Sequence, residues 1–189
     1  LLNKAFIEAL HERVTDVICG IAVLALTEVG DLIDGVSFGD DMGTQSQSYM
    51  GIDLYKELVK PHHVRFVDVL HKHTDAKVII HSDGSVRELL PDFIDCRIEV
   101  INPVQVSATG MEPGQLNREF GKDLSFWGGI DTQHVLPWGD ENDVTEAVAG
   151  RRKDLGKGGG YVQASVHNIQ SEVPPENVVA MFETALGRR

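Results

Sequence analysis

The sequence predicts an α/β fold on a parallel sheet, and two observations carry that reading. Five short β-type runs alternate with helical patterns, and every run ends in a polar cluster. The runs are 35–39 (GVSFG), 76–82 (AKVIIHS), 98–104 (IEVINPV), 124–130 (LSFWGGI) and 160–166 (GYVQASV). Most are uniformly apolar in the middle rather than alternating, as parallel strands covered on both faces are. Strand–helix alternation repeated five times implies right-handed βαβ units, which fit either an open doubly wound sheet or a closed barrel. No GxGxxG follows the first run, which weakens a dinucleotide-binding open sheet. A (β/α)8 TIM barrel needs eight strands, so the chain is expected to supply part of one.

The helical patterns follow in order. Residues 17–26 (VICGIAVLAL) are expected to form a buried helix, since ten residues are about half of the roughly 20 that cross a bilayer. After Pro61, Val64, Val67 and Leu70 recur at helical spacing up to His73. Ser85 and Glu88 read as a capping box ahead of Val86, Leu89, Leu90, Phe93 and Ile94, with Pro91 forcing a kink or two short helices. A short helix at 114–120 should stop at Gly121. Asp140 should cap a helix bearing Val144, Val148 and Leu155 that ends in the glycines 158–160. Pro174 and Pro175 should open a last helix with Val178, Phe182, Ala185 and Leu186 inside.

Composition narrows the function classes. The 189 residues are 42% hydrophobic and 24% charged, ordinary for one globular domain. A formal charge of −12 argues against nucleic acid and against docking on anionic membranes, both of which call for a basic face. Cys19 and Cys96 form no CxxC pair, the chain does not begin with Met, and no signal-peptide pattern precedes the first helix. A cytoplasmic location is therefore expected, and a homodimer is admissible.

Polar groups at five strand ends point to one active-site mouth, because barrel enzymes draw catalytic residues from the C-terminal ends of several strands. The clusters are Asp40-Asp41, His81-Ser82-Asp83, Asn102 to Gln105, Asp131-Thr132-Gln133 and His167-Asn168. Asp40 and Asp41 read either as a carboxylate pair or as neighbours facing apart. His81 and Asp83, two apart on an extended segment, share a face and can touch one metal ion or substrate group. His62, His63, His71 and His73 fall on a helix and read as solvated surface groups. Trp127 and Trp138 can wall a pocket or pack in the barrel, and Gly128-Gly129 can admit a ligand or tight packing.

The segments 38–45 (FGDDMGTQ), 60–61 (KP), 81–85 (HSDGS), 101–105 (INPVQ), 126–139 (FWGGIDTQHVLPWG), 158–162 (GGGYV) and 167–182 (HNIQSEVPPENVVAMF) resemble the uroporphyrinogen decarboxylase superfamily in order and spacing. The resemblance implies a (β/α)8 barrel of which this chain is the C-terminal portion, about the last five βα units, with 1–34 a helical lead-in and 35–189 carrying the motifs. It also implies two chemistries. One branch decarboxylates the tetrapyrrole uroporphyrinogen, in porphyrin biosynthesis, without a cofactor. The other transfers methyl groups between corrinoid proteins and thiols, using zinc to hold the thiolate.

By the same resemblance, His167 stands where decarboxylases place a histidine near the tetrapyrrole propionates and methyltransferases a cysteine metal ligand. Asp40 stands where decarboxylases have a serine. His81 matches the first ligand of the methyltransferase HxC motif, with Asp83 in place of the cysteine. The implied site therefore has Asp40, Asp41, His81 and His167 as catalytic residues. Gln45, Asn102, Gln105, Trp127, Asp131 and Asn168 would contact the substrate, and zinc would be held by His81, Asp83 and His167. Metal-assisted methyl transfer is the expected chemistry, and metal-free decarboxylation the alternative. A hydrolase using the same His/Asp set on water, or a binding module without turnover, is a further class.

Overall fold

A computed structural model describes residues 3–188. Strands β1 (Gly35–Gly39), β2 (Lys77–His81), β3 (Val100–Asn102), β4 (Ser125–Ile130) and β5 (Tyr161–Ser165) form one sheet in sequential order, each parallel to its neighbour. That order decides between the two architectures. A doubly wound sheet reverses its order at a switch point, whereas sequential order with right-handed crossovers puts the connecting helices on one side. Burial agrees: Val78, Ile80, Ile101 and Phe126 face the helices and join the main core, while Gly35, Ser37 and Gly39 on the other face of β1 are exposed. The chain is a five-unit stretch of a (β/α) barrel.

The helices form where the sequence places them. Helix α1 spans Lys4–Val29 and α2 spans Ile52–Leu58. Helix α3 (Lys60–His73) carries Pro61 in its first turn and buries His63, Phe66, Val67 and Leu70, a stripe at helical spacing. Pro91 gives the expected break, a 3-10 turn at Arg87–Leu89 followed by α4 (Leu90–Asp95). Helix α5 (Pro113–Phe120) stops at Gly121 and is followed by the short α6 (Val135–Trp138). Helix α7 (Glu141–Leu155) opens on a capping box between Asp140 and Asp143 and buries Val144, Val148 and Leu155, but it ends at Gly156, ahead of the expected glycines 158–160. Helix α8 spans Pro175–Ala185. Among the described residues, no helix is long and apolar enough to cross a membrane.

Three expectations need correction. The 17–26 segment is helical but not buried: Val17, Ile18, Ile21 and Leu24 are exposed, and only Cys19 and Leu26 within it are buried. Helix α1 meets the body along one stripe, against α3, with Lys4–Glu57 and Arg65–Asp16 ion pairs alongside. In α8 the inward residues are Asn177, Ala180 and Met181, while Phe182 and Leu186 point outward. Asn177 sets that rotation, since its Nδ2 donates to the carbonyls of Leu136 and Gly139. Ser85 and Glu88 form no capping box. Ser85 donates to the Thr109 carbonyl, Glu88 accepts from Ser48, and the α-helix starts only at Leu90, beside the proline that has no N–H to offer.

Removing the α7 cap tests this assembly. Asp140→Ala is expected to cost about 1 kcal/mol and to lower Tm by about 2–4 °C in a calorimetric scan. An unchanged Tm would mean that the cap contributes nothing.

Candidate metal centre at the strand ends

The ends of β1, β2 and β3 are fixed to one another before any functional group is considered. His81 lies opposite Gly39 on one side and Asn102 on the other. Beyond the sheet, the Ser82 N–H donates to the Asn102 carbonyl, and the Met42 N–H donates to Ser82 Oγ. The loops after β1 and β2 then pass in direct contact. A Cβ on Gly84, whose φ is +87°, would lie 2.5 Å from the Gly43 carbonyl carbon, and one on Gly43 would lie 2.6 Å from the Asp83 carbonyl oxygen. Only glycine fits at this crossing.

Gln105 and Gln45 fasten the crossing. The Gly84 N–H donates to Gln105 Oε1, Gln105 Nε2 donates to Gln45 Oε1, and Gln45 Nε2 donates to the Ser107 carbonyl. Both glutamines of the expected substrate set are thus bound into the loops that hold Asp83.

Within this frame His81, Asp83 and His167 converge, each offering one ligand atom, all within 4.8 Å of one another. His81 Nε2 is 3.5 Å and His167 Nε2 3.9 Å from Asp83 Oδ2, and the two rings are 5.9 Å apart. His81 Nδ1 lies 2.6 Å from Asn102 Oδ1. A carboxamide oxygen can only accept, so Nδ1 donates to it, and Nε2 is the nitrogen turned toward Asp83. Nε2 and the Asp83 carboxylate therefore face a common point that a cation can share. Burial raises the Asp83 pKa, with His81 opposing, nearby Asp41 adding and His167 opposing.

The donor set suits zinc: two imidazoles and a carboxylate leave a fourth position free, as in catalytic sites. Tetrahedral zinc ligands stand about 3.3 Å apart given bonds of about 2.0–2.1 Å, so the set has to close slightly. His167 is the exposed member, in the segment after β5, and has the room to move.

The other expected residues are placed as follows. Asp40 and Asp41 face apart rather than pairing: Asp41 Oδ1 accepts the Asp83 N–H, while Asp40 Oδ2 accepts from His63 Nε2 at 3.0 Å. Asp131 accepts from the Gln133 and His134 backbone N–H groups and from His134 Nδ1, and so shapes the turn into α6. Trp127, half-buried, lies beside exposed Val162 on the sheet face away from the helices. Asn168 is exposed, and its carbonyl accepts from Gln170. A Cβ on Gly128, φ +109°, would lie 3.1 Å from Pro103, so packing accounts for that glycine. Trp138 is exposed on the outside of α6.

The histidines of α3 were expected to be solvated, and the structure corrects this for His63. It is 5% exposed, with Nδ1 3.0 Å from Tyr55 Oη and Nε2 on Asp40. His62 is half-buried against Thr15, and burial lowers its pKa, with His11 adding. The signal was present in the sequence: His63 sits three and four residues before Phe66 and Val67, on the buried stripe.

The family model for uroporphyrinogen decarboxylase (URO-D) matches residues 3–187. The chain belongs to the uroporphyrinogen decarboxylase family. A comparison with curated proteins finds no match. Among solved structures, a methyltransferase from Methanosarcina mazei superposes with a TM-score of 0.70 at 18% identity, over 91% of this chain and 48% of that one. At that identity the likeness establishes the fold, and this chain spans about half the length of that structure.

Linkage gives a test of the Asp83 environment. Its folded pKa lies above the unfolded one, so its contribution to stability is present at low pH and is lost as pH rises through the raised value. In metal-free buffer at pH 7, Asp83→Asn is expected to raise Tm by about 1–3 °C, and to have no effect below about pH 4. A lower Tm at pH 7 would contradict the burial argument.

Proposed function

We propose that this uroporphyrinogen decarboxylase family chain carries the metal-binding part of an enzyme that transfers a methyl group from a corrinoid protein to a thiol. The convergence of His81, Asp83 and His167 supports the reading most directly. Zinc held by these three residues would supply a Lewis acid that lowers the pKa of an acceptor thiol toward neutrality.

The chain's own residues position those ligands. Asn102 holds His81 by Nδ1 and leaves Nε2 directed at the centre. Asp41 fixes Asp83 through its backbone N–H, and the Gly43–Gly84 crossing keeps that segment against β1. The acceptor thiol would release its proton to water, and the sulfur lone pair would form the S–C bond. The bond between the methyl group and its corrinoid donor would break with the electron pair left on the donor, so charge and atoms balance.

Decarboxylation of a tetrapyrrole rich in carboxylates fits less well, because Asp40, Asp41 and Asp83 together would repel such a substrate.

His81→Ala and His167→Ala are each expected to abolish stoichiometric zinc binding and to lower methyl transfer more than about 100-fold, with circular dichroism unchanged. Asn102→Ala should weaken zinc about 10–100-fold by competition with a chromogenic chelator. Full turnover after exhaustive chelation would instead support the metal-free decarboxylase.

A further inference from the structure

On the outside of the fold, a cleft of about 480 Å³ lies between α6 and the α7 face that carries Asp143, Ala147 and Arg151. Helix α7 packs against α5 and α8, and both walls of the cleft belong to this chain.

Arg151 sets this cleft apart. Its stem is pinned where the sheet is bare: Gly129 has φ +93°, and a Cβ there would lie 3.5 Å from Arg151 Cδ. A guanidinium carries five N–H donors. Among the described residues none of these makes a hydrogen bond, and Nε is buried without a partner. Asp154 Oδ2 stands 3.9 Å from Nη1, beyond hydrogen-bonding reach. An arginine with a fixed stem and unpaired donors is prepared for an oxyanion, which it meets through two parallel bonds.

The opposite wall supplies a ring. Trp138 is 77% exposed, while Leu136 and Pro137 beside it are buried, so core packing does not account for the indole. His134 turns Nδ1 to Asp131 and keeps Nε2 without a partner among the described residues. Of the two carboxylates in the lining, Asp143 is engaged in the α7 capping box, and Glu146 is exposed. A flat ring laid on Trp138, with its anionic oxygens directed at Arg151, uses both walls. The volume lies in the range of small-molecule sites, about 300–1,000 Å³.

We propose that this cleft binds a small molecule in which a flat ring carries a phosphate or carboxylate, the anion on Arg151 and the ring on Trp138. The assignment goes beyond the metal centre and does not rest on the methyl-transfer reading.

The test is calorimetric titration of the full-length protein, with and without zinc, using three probes built on one ring: 2-naphthyl phosphate, 2-naphthoate and 2-naphthalenemethanol. At least one anion is expected to bind about 10-fold more tightly than the neutral probe, as a hydrogen bond to a charged group provides. The tighter anion identifies the oxyanion as phosphate or carboxylate. Arg151→Met keeps the stem over Gly129 and should bring the three probes within about 2-fold of one another. Its Tm should not fall, because the change removes a buried donor that has no partner. Trp138→Ala, at an exposed position, should weaken all three about 3–10-fold, and Glu146→Gln should tighten only the anions.

Equal binding of the three probes by the unmodified protein would overturn the inference, as would an unchanged anion preference in Arg151→Met or undiminished binding in Trp138→Ala. Anion binding that appears only with zinc would place the probe at the His81 set and overturn it as well.

Discussion

The register of β2 against β3 is the constraint on which the site depends. It sets His81 opposite Asn102, and the 2.6 Å contact between them fixes which imidazole nitrogen is protonated. It thereby leaves Nε2 as the nitrogen directed at Asp83. A shift of one residue would turn His81 to the helix side of the sheet and put Ile80 at the mouth. The apolar helix-facing set, Val78, Ile80 and Ile101, excludes such a shift by its burial. The core of this fold therefore specifies the chemistry of its rim.

Much of this was legible in the sequence because parallel strands and capped helices leave strong local marks. The five apolar runs, Pro61, Pro91 and Asp140 each act through their own backbone, and each lies where local rules put it. What escaped depended on orientation. The rotation of α8 is set by Asn177 reaching carbonyls at the end of α6, a contact separated by about forty residues that no helical periodicity encodes. The apolar run in α1 reads as core by composition, yet only one stripe of that helix meets α3. His63 is the opposite case: its place on a buried stripe prevails over the usual exposure of its residue type.

The candidate site shows the same division. Parallel strand ends anticipate that His81, Asp83 and His167 share one rim of the sheet, and the family resemblance is what singles out those three as a metal set. The roles of Gln45 and Gln105 could not be anticipated. Their side chains bind the loops that carry Asp83, through contacts between distant segments that no local pattern encodes. In the uroporphyrinogen decarboxylase family frame, the aspartate at position 83 is the notable departure from the methyltransferase pattern. An oxygen donor in place of sulfur leaves more positive charge on a bound ion and suits harder metals.

The zinc-edge X-ray absorption spectrum of the zinc-loaded, full-length protein tests the central claim most directly. Without added thiol, the expected first shell holds only nitrogen and oxygen at about 2.0–2.1 Å, and one sulfur at about 2.3 Å enters when thiol is supplied. A sulfur-containing shell before any thiol is added, or zinc that does not stay with the protein, would contradict the assignment of His81, Asp83 and His167.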